Sequence, residues 1–205
     1  RDLAASLAPV AEALQTAGDH DAASVARSLG RDHDLYRYVL PGDQGRVDVR
    51  ALVLIREALG YAHPLADALF AVQGLGSYPI AVFGRDAQRE RLLPEVISGE
   101  RIAAFALTEP EAGSDVASLR CRATREADGY RLDGDKTFIS NVPIADHYVL
   151  FANADPERGR KGISAFIVPR DAPGLRLEPQ PLSIDHPIGA LPLADCRVAP
   201  AALPR

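Results

Sequence analysis

The stretch of sequence that decides the fold is LTEPEAGSD, Leu107–Asp115, which is followed further along the chain by DGDKTFISN, Asp133–Asn141. A short apolar run, 102–107, precedes the first stretch and has the length of a β-strand. The polar residues after it include proline, glycine, serine and aspartate, which are typical of turns. Such a loop presents backbone N–H groups and short hydroxyls to a ring edge or a pyrophosphate. Residue types alone favour a purely structural turn, and the binding loop stays open as the other interpretation at this point.

Short apolar runs separated by turn residues follow this loop and predict a β-sheet domain. Asp128-Gly129 and Asp133-Gly134 are strong turn signals, and the segments around them predict successive antiparallel strands. The series continues with the runs HYVLFA (147–152), ISAFIVP (163–169) and LRLEP (175–179). We therefore expect an antiparallel β-barrel or β-sandwich domain over residues 103–205.

Residues 1–102 show instead the three- and four-residue spacing of amphipathic helices. The first predicted helix has the apolar stripe Leu3, Leu7, Val10 and Leu14. A second helix is expected to begin after Asp48 as N-cap and to end at Gly60. Its apolar stripe is Val49, Leu52, Val53, Ile55 and Leu59.

The rest of this region predicts three further helices. Pro64 suits the first turn of a helix that carries the apolar residues Leu65, Leu69, Phe70 and Val72. Two short helices, 85–93 and 94–98, follow, and Gly99 closes the second. The mixed-sign run 85–91 predicts a solvated helix face. The fold class expected is α+β multidomain, an all-α domain of residues 1–102 followed by the β-barrel domain.

Composition restricts the partners of the chain. The 205 residues carry a net charge of −5, and 47% of them are hydrophobic. An acidic chain has no general attraction for phosphate backbones, so no nucleic-acid partner is expected. No apolar run reaches the roughly 18 residues of a membrane span, so no membrane is expected either. No signal or transit peptide is predicted, and the missing methionine suggests a trimmed or processed start.

Cysteines and histidines give no sign of a cross-link or a metal site. Cys121 and Cys196 lie far apart and in no CxxC pattern, so free thiols in a reducing, cytoplasmic compartment are expected. The five histidines show no metal-ligand spacing, and no metal is predicted.

Taken together, the motifs resemble the acyl-CoA dehydrogenase family. The segments that match its middle domain in order and spacing are FALTEPEAGSD (105–115), GDKTFISN (134–141), GISAFIV (162–168) and an Asp-x-Pro-Gly turn (171–174). The segments that resemble the end of its N-terminal helical domain are QGLGSYPIAVFG (73–84) and ERLLPEVISGE (90–100). The resemblance covers nearly the whole chain, is weakest over residues 1–45, and implies an FAD cofactor.

In the first motif, the resemblance implies that the Thr108 hydroxyl meets the pyrimidine side of the flavin. The backbone around Phe105, Leu107 and Gly113 should line the cofactor. Ser114 should contact the pyrophosphate or the acyl-CoA substrate.

In the second motif, the resemblance implies three further cofactor contacts. Phe138 stands where the family commonly has tryptophan, packed near the ring. Ser140 stands where threonine is frequent, with its hydroxyl near flavin N5, and Ile139 lies between them.

The implied reaction is α,β-dehydrogenation of an acyl-CoA thioester, with hydride transfer to flavin N5 and proton removal by a carboxylate. The family keeps that base, a glutamate, in a C-terminal helical domain that this sequence lacks. Glu109 and Glu111 flank the flavin loop and are not expected to replace it. No catalytic residue is therefore predicted here, and the chain is expected to be a fragment that is inactive alone. Implied partners are electron-transfer flavoprotein or a similar acceptor, and further copies in a dimer or tetramer.

Departures from the family leave the substrate open. Residues 183–196 lack the arginine and hydroxyls of a family stretch, and Ala154 lies where some members have serine. His186 and Pro187 are expected to be turn residues rather than catalysts. Acyl-CoA oxidase and flavin-dependent monooxygenase remain possible reactions. Alternatives of another class are a non-catalytic flavin- or acyl-CoA-binding module and one subunit of a split enzyme.

Overall fold

The computed structural model describes residues 7, 9, 10, 12, 21–42 and 45–199. The chain forms two compact units that divide between Ile102 and Ala103, with Ile184–His186 grouped with the first. The first unit is helical and the second is built on one sheet. The expected order of an α-helical part followed by a β part is confirmed.

The helical unit contains α1 (Ala22–Arg31), a 3₁₀ turn (Leu35–Val39), α2 (Val49–Ala62), α3 (Pro64–Phe83) and α4 (Asp86–Ile97). Local chemistry sets several of their ends. The Asp48 carboxylate accepts the N–H groups of Arg50 and Ala51 at 3.0 and 3.3 Å, as predicted for an N-cap. Pro64 occupies the first turn of α3, and Gly99 closes the chain after α4 with a φ of +75°.

Helix α3 lies at the centre of this unit and packs against α1, α2 and α4. Its length and composition are also sufficient to cross a membrane, contrary to the expectation from the sequence. Two buried polar side chains indicate a core helix instead: Gln73 donates to the Arg101 carbonyl at 2.7 Å, and the Ser77 hydroxyl donates to the Gln73 carbonyl at 2.6 Å. Polar groups that are satisfied inside the unit fit a protein core.

Several helix predictions are wrong in detail. Helix α2 passes through Gly60 and ends at Ala62. Val49 and Val53 are exposed, because the stripe that α2 buries is Ala51, Ile55 and Leu59. The i, i+4 spacing of that stripe is the helical period, whereas the sequence interpretation missed the small Ala51 as part of it.

Pro94 does not separate two helices but lies inside the single helix α4. Its ring removes one backbone hydrogen bond, yet Leu92 and Val96 on either side are buried. Burial of that face holds the helix together, because helical stability in proteins comes mainly from packing. Of the first predicted stripe, Leu7 and Val10 are helical and buried, while Leu3 and Leu14 lie outside the described residues.

The sheet unit has strands β1 (Ala103–Ala106), β2 (Arg122–Glu126), β3 (Gly129–Ser140), β4 (His147–Asn153), β5 (Ile163–Pro169), β6 (Glu178–Pro179) and β7 (Ile188–Val198). Its order is β1-β4-β2-β3-β7-β6, with β5 paired to β4. Strand β1 runs parallel to β4, from Ala103 opposite His147 to Ala106 opposite Leu150. The expected β domain is therefore confirmed, and its curled sheet is mixed rather than wholly antiparallel.

Strand β3 also corrects the turn predicted at Asp133-Gly134. The strand is continuous from Gly129 to Ser140, and its register with β7 shifts between Leu132 and Gly134. Gly134 has a φ of +141°, and a Cβ there would lie 2.8 Å from the Cys121 Cα. The glycine thus serves a bulge and a close backbone approach rather than a turn. The other signal is confirmed, because β2 and β3 form a hairpin around Ala127-Asp128.

Candidate functional site

The first motif forms a loop, residues 107–115, that leaves the end of β1. Glu109 and Ala112 exchange two backbone hydrogen bonds, Glu109 N–H to Ala112 carbonyl at 3.0 Å and the reverse at 3.2 Å. These bonds close a tight turn through Pro110-Glu111. The residues after the turn, Gly113–Asp115, are exposed. The 107–115 loop is thus folded at its base and open at its tip.

The structure brings the two sequence motifs together. The Thr137 N–H, on β3, donates to the Thr108 carbonyl at 3.0 Å. Near the end of the same strand, the Asn141 side-chain amide donates to the Ala103 carbonyl at 3.0 Å. Strand β1 and the start of the 107–115 loop therefore lie beside residues 137–141.

A buried ion pair, which the sequence interpretation missed, joins the same two segments. Lys136 Nζ lies 2.8 Å from Glu109 Oε1, and the two side chains are 0% and 4% exposed. The ammonium also donates to the Leu107 carbonyl at 3.0 Å. The Glu109 carboxylate accepts two backbone N–H groups, from Arg120 at 2.6 Å and Cys121 at 3.0 Å. With these partners, the Glu109 carboxylate is held inside the fold by an ammonium and two backbone N–H groups. Glu111 is exposed on the turn.

Phe138 is the most unusual residue of the second motif. Its side chain is 67% exposed, and its backbone has a φ of +54°. The β3–β7 register shifts between Lys136 and Ile139, so Phe138 lies in a bulge. A large aromatic residue is uncommon in the left-handed region, and such strain clusters at ligand sites. This geometry fits a residue that presents its ring to a ligand.

The neighbours of Phe138 have different environments. Ile139 is only 2% exposed and pairs with Gly189 on β7, so its side chain belongs to the sheet core. Ser140 is half-buried and pairs with Ile188. Only the backbone of Ile139 is therefore available for the cofactor contact predicted for it.

Phe105 and Gly113 of the first motif also differ in their surroundings. Phe105 is half-buried and packs its ring on Phe151, with centroids 4.9 Å apart. A Cβ added to Gly113 would meet no atom within 4 Å, and the φ of this residue lies outside the left-handed region. Neither packing nor backbone conformation in the described residues requires glycine there. A close approach by a ligand would require it.

Other candidate groups show no reactive chemistry. Burial raises the pKa of the Cys121 thiol to about 12 and that of Cys196 to about 11, so both stay protonated at neutral pH. Both thiols are free, as expected. Burial also lowers the pKa of His186. Within residues 21–42 and 45–199, no cluster of three or more His, Cys, Asp or Glu is placed to hold a metal ion.

Comparison with known families matches both parts of the chain. Residues 1–100 match the acyl-CoA dehydrogenase N-terminal domain, and residues 104–196 match the acyl-CoA dehydrogenase middle domain. An acyl-CoA dehydrogenase of Bacillus subtilis (strain 168) is 36% identical over 171 residues, which are 82% of this chain and 45% of that protein. An L-prolyl-[peptidyl-carrier protein] dehydrogenase of Pseudomonas fluorescens is 45% identical over 139 residues, 65% of this chain and 36% of that protein.

Solved structures agree with these matches. A glutaryl-CoA dehydrogenase from Mycobacterium smegmatis has a TM-score of 0.83 and 31% identity, and the match covers 100% of this chain and 55% of that one. The structure of PigA with FAD and proline has a TM-score of 0.83 and 25% identity, covering 100% of this chain and 58% of that one. The chain thus spans about half the length of the relatives it matches. Since the two domain matches together account for nearly all of its residues, the chain belongs to the acyl-CoA dehydrogenase family.

Proposed function

We propose that this chain forms the helical and flavin-binding parts of an FAD-dependent oxidoreductase of acyl-CoA dehydrogenase type. The observation that carries the proposal is the junction of the two motifs: Thr137, next to the strained and exposed Phe138, is hydrogen-bonded to Thr108 of the 107–115 loop. Family membership and relatives such as PigA, solved with FAD, support the same cofactor.

The residues assigned to the cofactor divide by position. The flavin ring would be held by Leu107 and Thr108 at the loop base and by Phe138 and Ser140 on β3. The open tip of the loop, Gly113 and Ser114, would face the pyrophosphate or the acyl-CoA substrate. Bound FAD supplies a hydride acceptor, its N5 atom, for α,β-dehydrogenation of an acyl-CoA thioester. The role of these side chains is to bind and orient, which lowers the barrier by placing reactants in a productive geometry.

Removal of the α-proton is assigned to a carboxylate outside the described residues. Glu109 is occupied by Lys136 and two backbone N–H groups. A general base must reach the proton that it takes, and a buried, fully hydrogen-bonded carboxylate is not placed to do so. The whole protein is proposed to act in the cytoplasm as a homo-oligomer that passes electrons to an electron-transfer flavoprotein or a similar acceptor.

A carrier-protein thioester is a second candidate substrate. The relative from Pseudomonas fluorescens, 45% identical, is named for a prolyl group on a peptidyl-carrier protein, and PigA was solved with proline. The departures from the family pattern in residues 183–196 also leave room for a carrier other than CoA. Parallel assays with acyl-CoA and with prolyl-carrier protein distinguish the two substrates.

FAD titration of the purified protein, followed by flavin fluorescence, tests the proposal. The complete protein should bind FAD, and Gly113→Val in it should raise the Kd about tenfold or more, equivalent to about 1.4 kcal/mol. The thermal midpoint should change little, since a Cβ at this position meets no atom within 4 Å. Gly42→Val is the matched control, because a Cβ there has its nearest neighbour at 4.0 Å. It should leave FAD binding unchanged.

A second readout concerns the reaction. Anaerobic addition of the correct thioester to the FAD-loaded complete enzyme should bleach the visible flavin absorbance. Absence of FAD binding in the unmodified complete protein would refute the proposal. Tight FAD binding without bleaching by either thioester class would favour a non-catalytic binding module.

A further inference from the structure

Lys136 and Glu109 bury two opposite charges in the sheet unit. Removing two ions from water costs several kcal/mol each, and their attraction rarely returns more than that cost. A hydrophobic pair of the same size is often as stable, so stability alone is a weak reason for such a pair. The position of the pair suggests another reason.

Each contact of the pair fixes the base of the 107–115 loop. Lys136 binds the carbonyl of Leu107 as well as the Glu109 carboxylate. Glu109 in turn holds the backbone of residues 120 and 121, where the chain returns from the loop. The start of the loop is thus attached both to β3 and to residues 120 and 121 that follow the loop, and the hydrogen bond from Thr137 to Thr108 lies next to Lys136.

On the basis of the proposed function, we infer that Lys136 and Glu109 are positioning residues that set the 107–115 loop against β3 at the spacing that FAD requires. Lys136 lies two positions before the bulged Phe138, so the same residue contacts the loop and borders the bulge. Charge-assisted hydrogen bonds are shorter and roughly twice as strong as neutral ones, which suits them to hold two segments together. The pair therefore supports the cofactor site without contacting the cofactor.

The double variant Lys136→Met/Glu109→Gln tests this inference. It removes both charges together, so neither is left buried without a partner, and it keeps side chains of similar length. Two readouts are needed: hydrogen exchange of the Thr137 amide in the FAD-free protein, and the Kd and visible circular dichroism of bound FAD. A purely structural pair would lower the thermal midpoint without changing the visible circular dichroism of the flavin.

The expected result is selective. Exchange of the Thr137 amide should accelerate about tenfold relative to amides of the β4–β5 pair, and the FAD Kd should rise about tenfold with an altered flavin spectrum. Phe166→Leu is the control, because Phe166 is fully buried and its ring packs on that of Tyr130, with centroids 5.0 Å apart. Among the described interactions, Phe166 makes no contact with the loop. It should lower the thermal midpoint and leave the spectrum unchanged.

Each outcome decides between the claims. If the unmodified complete protein binds no FAD, the proposed function and this inference both fail. If it binds FAD and the double variant retains the wild-type spectrum and Kd, the positioning role alone is refuted. An equal spectral change in Phe166→Leu would also refute it, since the effect would then follow stability rather than loop position.

Discussion

Phe138→Asn tests whether the exposed aromatic residue serves a ligand or the fold. With 67% of its side chain exposed, Phe138 buries about a third of its surface. A third of roughly 200 Å² at about 25 cal/mol per Å² corresponds to about 1.7 kcal/mol of lost burial. In the opposite direction, asparagine tolerates the left-handed region at φ +54°, which relieves about 1–2 kcal/mol of backbone strain.

The two contributions nearly cancel. The free energy of unfolding should therefore change by no more than about 1 kcal/mol, whereas truncation of a buried phenylalanine typically costs about 3–5 kcal/mol. Affinity for FAD should fall about tenfold, because an aromatic face near the ring is lost. Phe138→Asn is thus predicted to leave the free energy of unfolding nearly unchanged and to lower the affinity for FAD.

Urea denaturation followed by far-ultraviolet circular dichroism measures the first quantity, and flavin fluorescence measures the second. The chain contains no tryptophan, so the flavin signal is free of tryptophan emission. Phe166→Ala is the matched buried control, since Phe166 is fully buried. A loss of about 3 kcal/mol or more in Phe138→Asn would refute the argument, because Phe138 would then act as a core residue. Unchanged FAD affinity would refute its assignment to the cofactor.

Three further predictions concern the fold. Gly134→Ala should lower stability by about 2 kcal/mol or more in urea denaturation, because the new Cβ would lie 2.8 Å from the Cys121 Cα at a φ of +141°; an unchanged midpoint would contradict the close approach. Tyr36→Phe should cost about 1–2 kcal/mol, since the buried hydroxyl loses its 2.6 Å hydrogen bond to the Ala26 carbonyl; a neutral effect would contradict it. Burial raises the pKa of Cys121 to about 12 and that of Cys196 to about 11, so the folded state retains protons that the unfolded state releases. The free energy of unfolding should therefore decline as pH rises from about 9 towards 11–12. In the double variant Cys121→Ser/Cys196→Ser, the free energy of unfolding should stay flat over that range. An unchanged decline in the variant would contradict the assignment of the decline to these thiols.

The parts of the fold that were predictable from sequence depend on local chemistry. Asp48 caps α2 and Pro64 begins α3 because capping and the fixed φ of proline involve only neighbouring residues. Gly99 ends α4 for the same kind of reason. The order of helices and strands followed from the change in hydrophobic period near residue 102.

The parts that were missed depend on contacts between distant residues. Asp133-Gly134 has the sequence of a turn, but Cys121 approaches so closely that the glycine is used inside a strand. The parallel pairing of β1 with β4 joins residues about forty apart, and no local pattern specifies it. Pro94 was interpreted as a break, whereas tertiary packing carries α4 through it.

The candidate site shows the same division. The motif residues Thr108, Gly113, Phe138 and Ser140 were named from the resemblance, and their cofactor roles remain predictions. The ion pair between Lys136 and Glu109 was missed, although both residues stand inside the quoted motifs. A lysine at an inward position of a strand pattern is the signal that would have found it, since a buried lysine requires an anionic partner.

The structure of the complete protein with FAD tests the central claim most directly. The account predicts the isoalloxazine ring between the 107–115 loop and the Phe138 bulge, with the hydroxyls of Thr108 and Ser140 within about 3 Å of ring nitrogen or oxygen atoms. FAD bound elsewhere, or both hydroxyls directed away from it, would contradict the account.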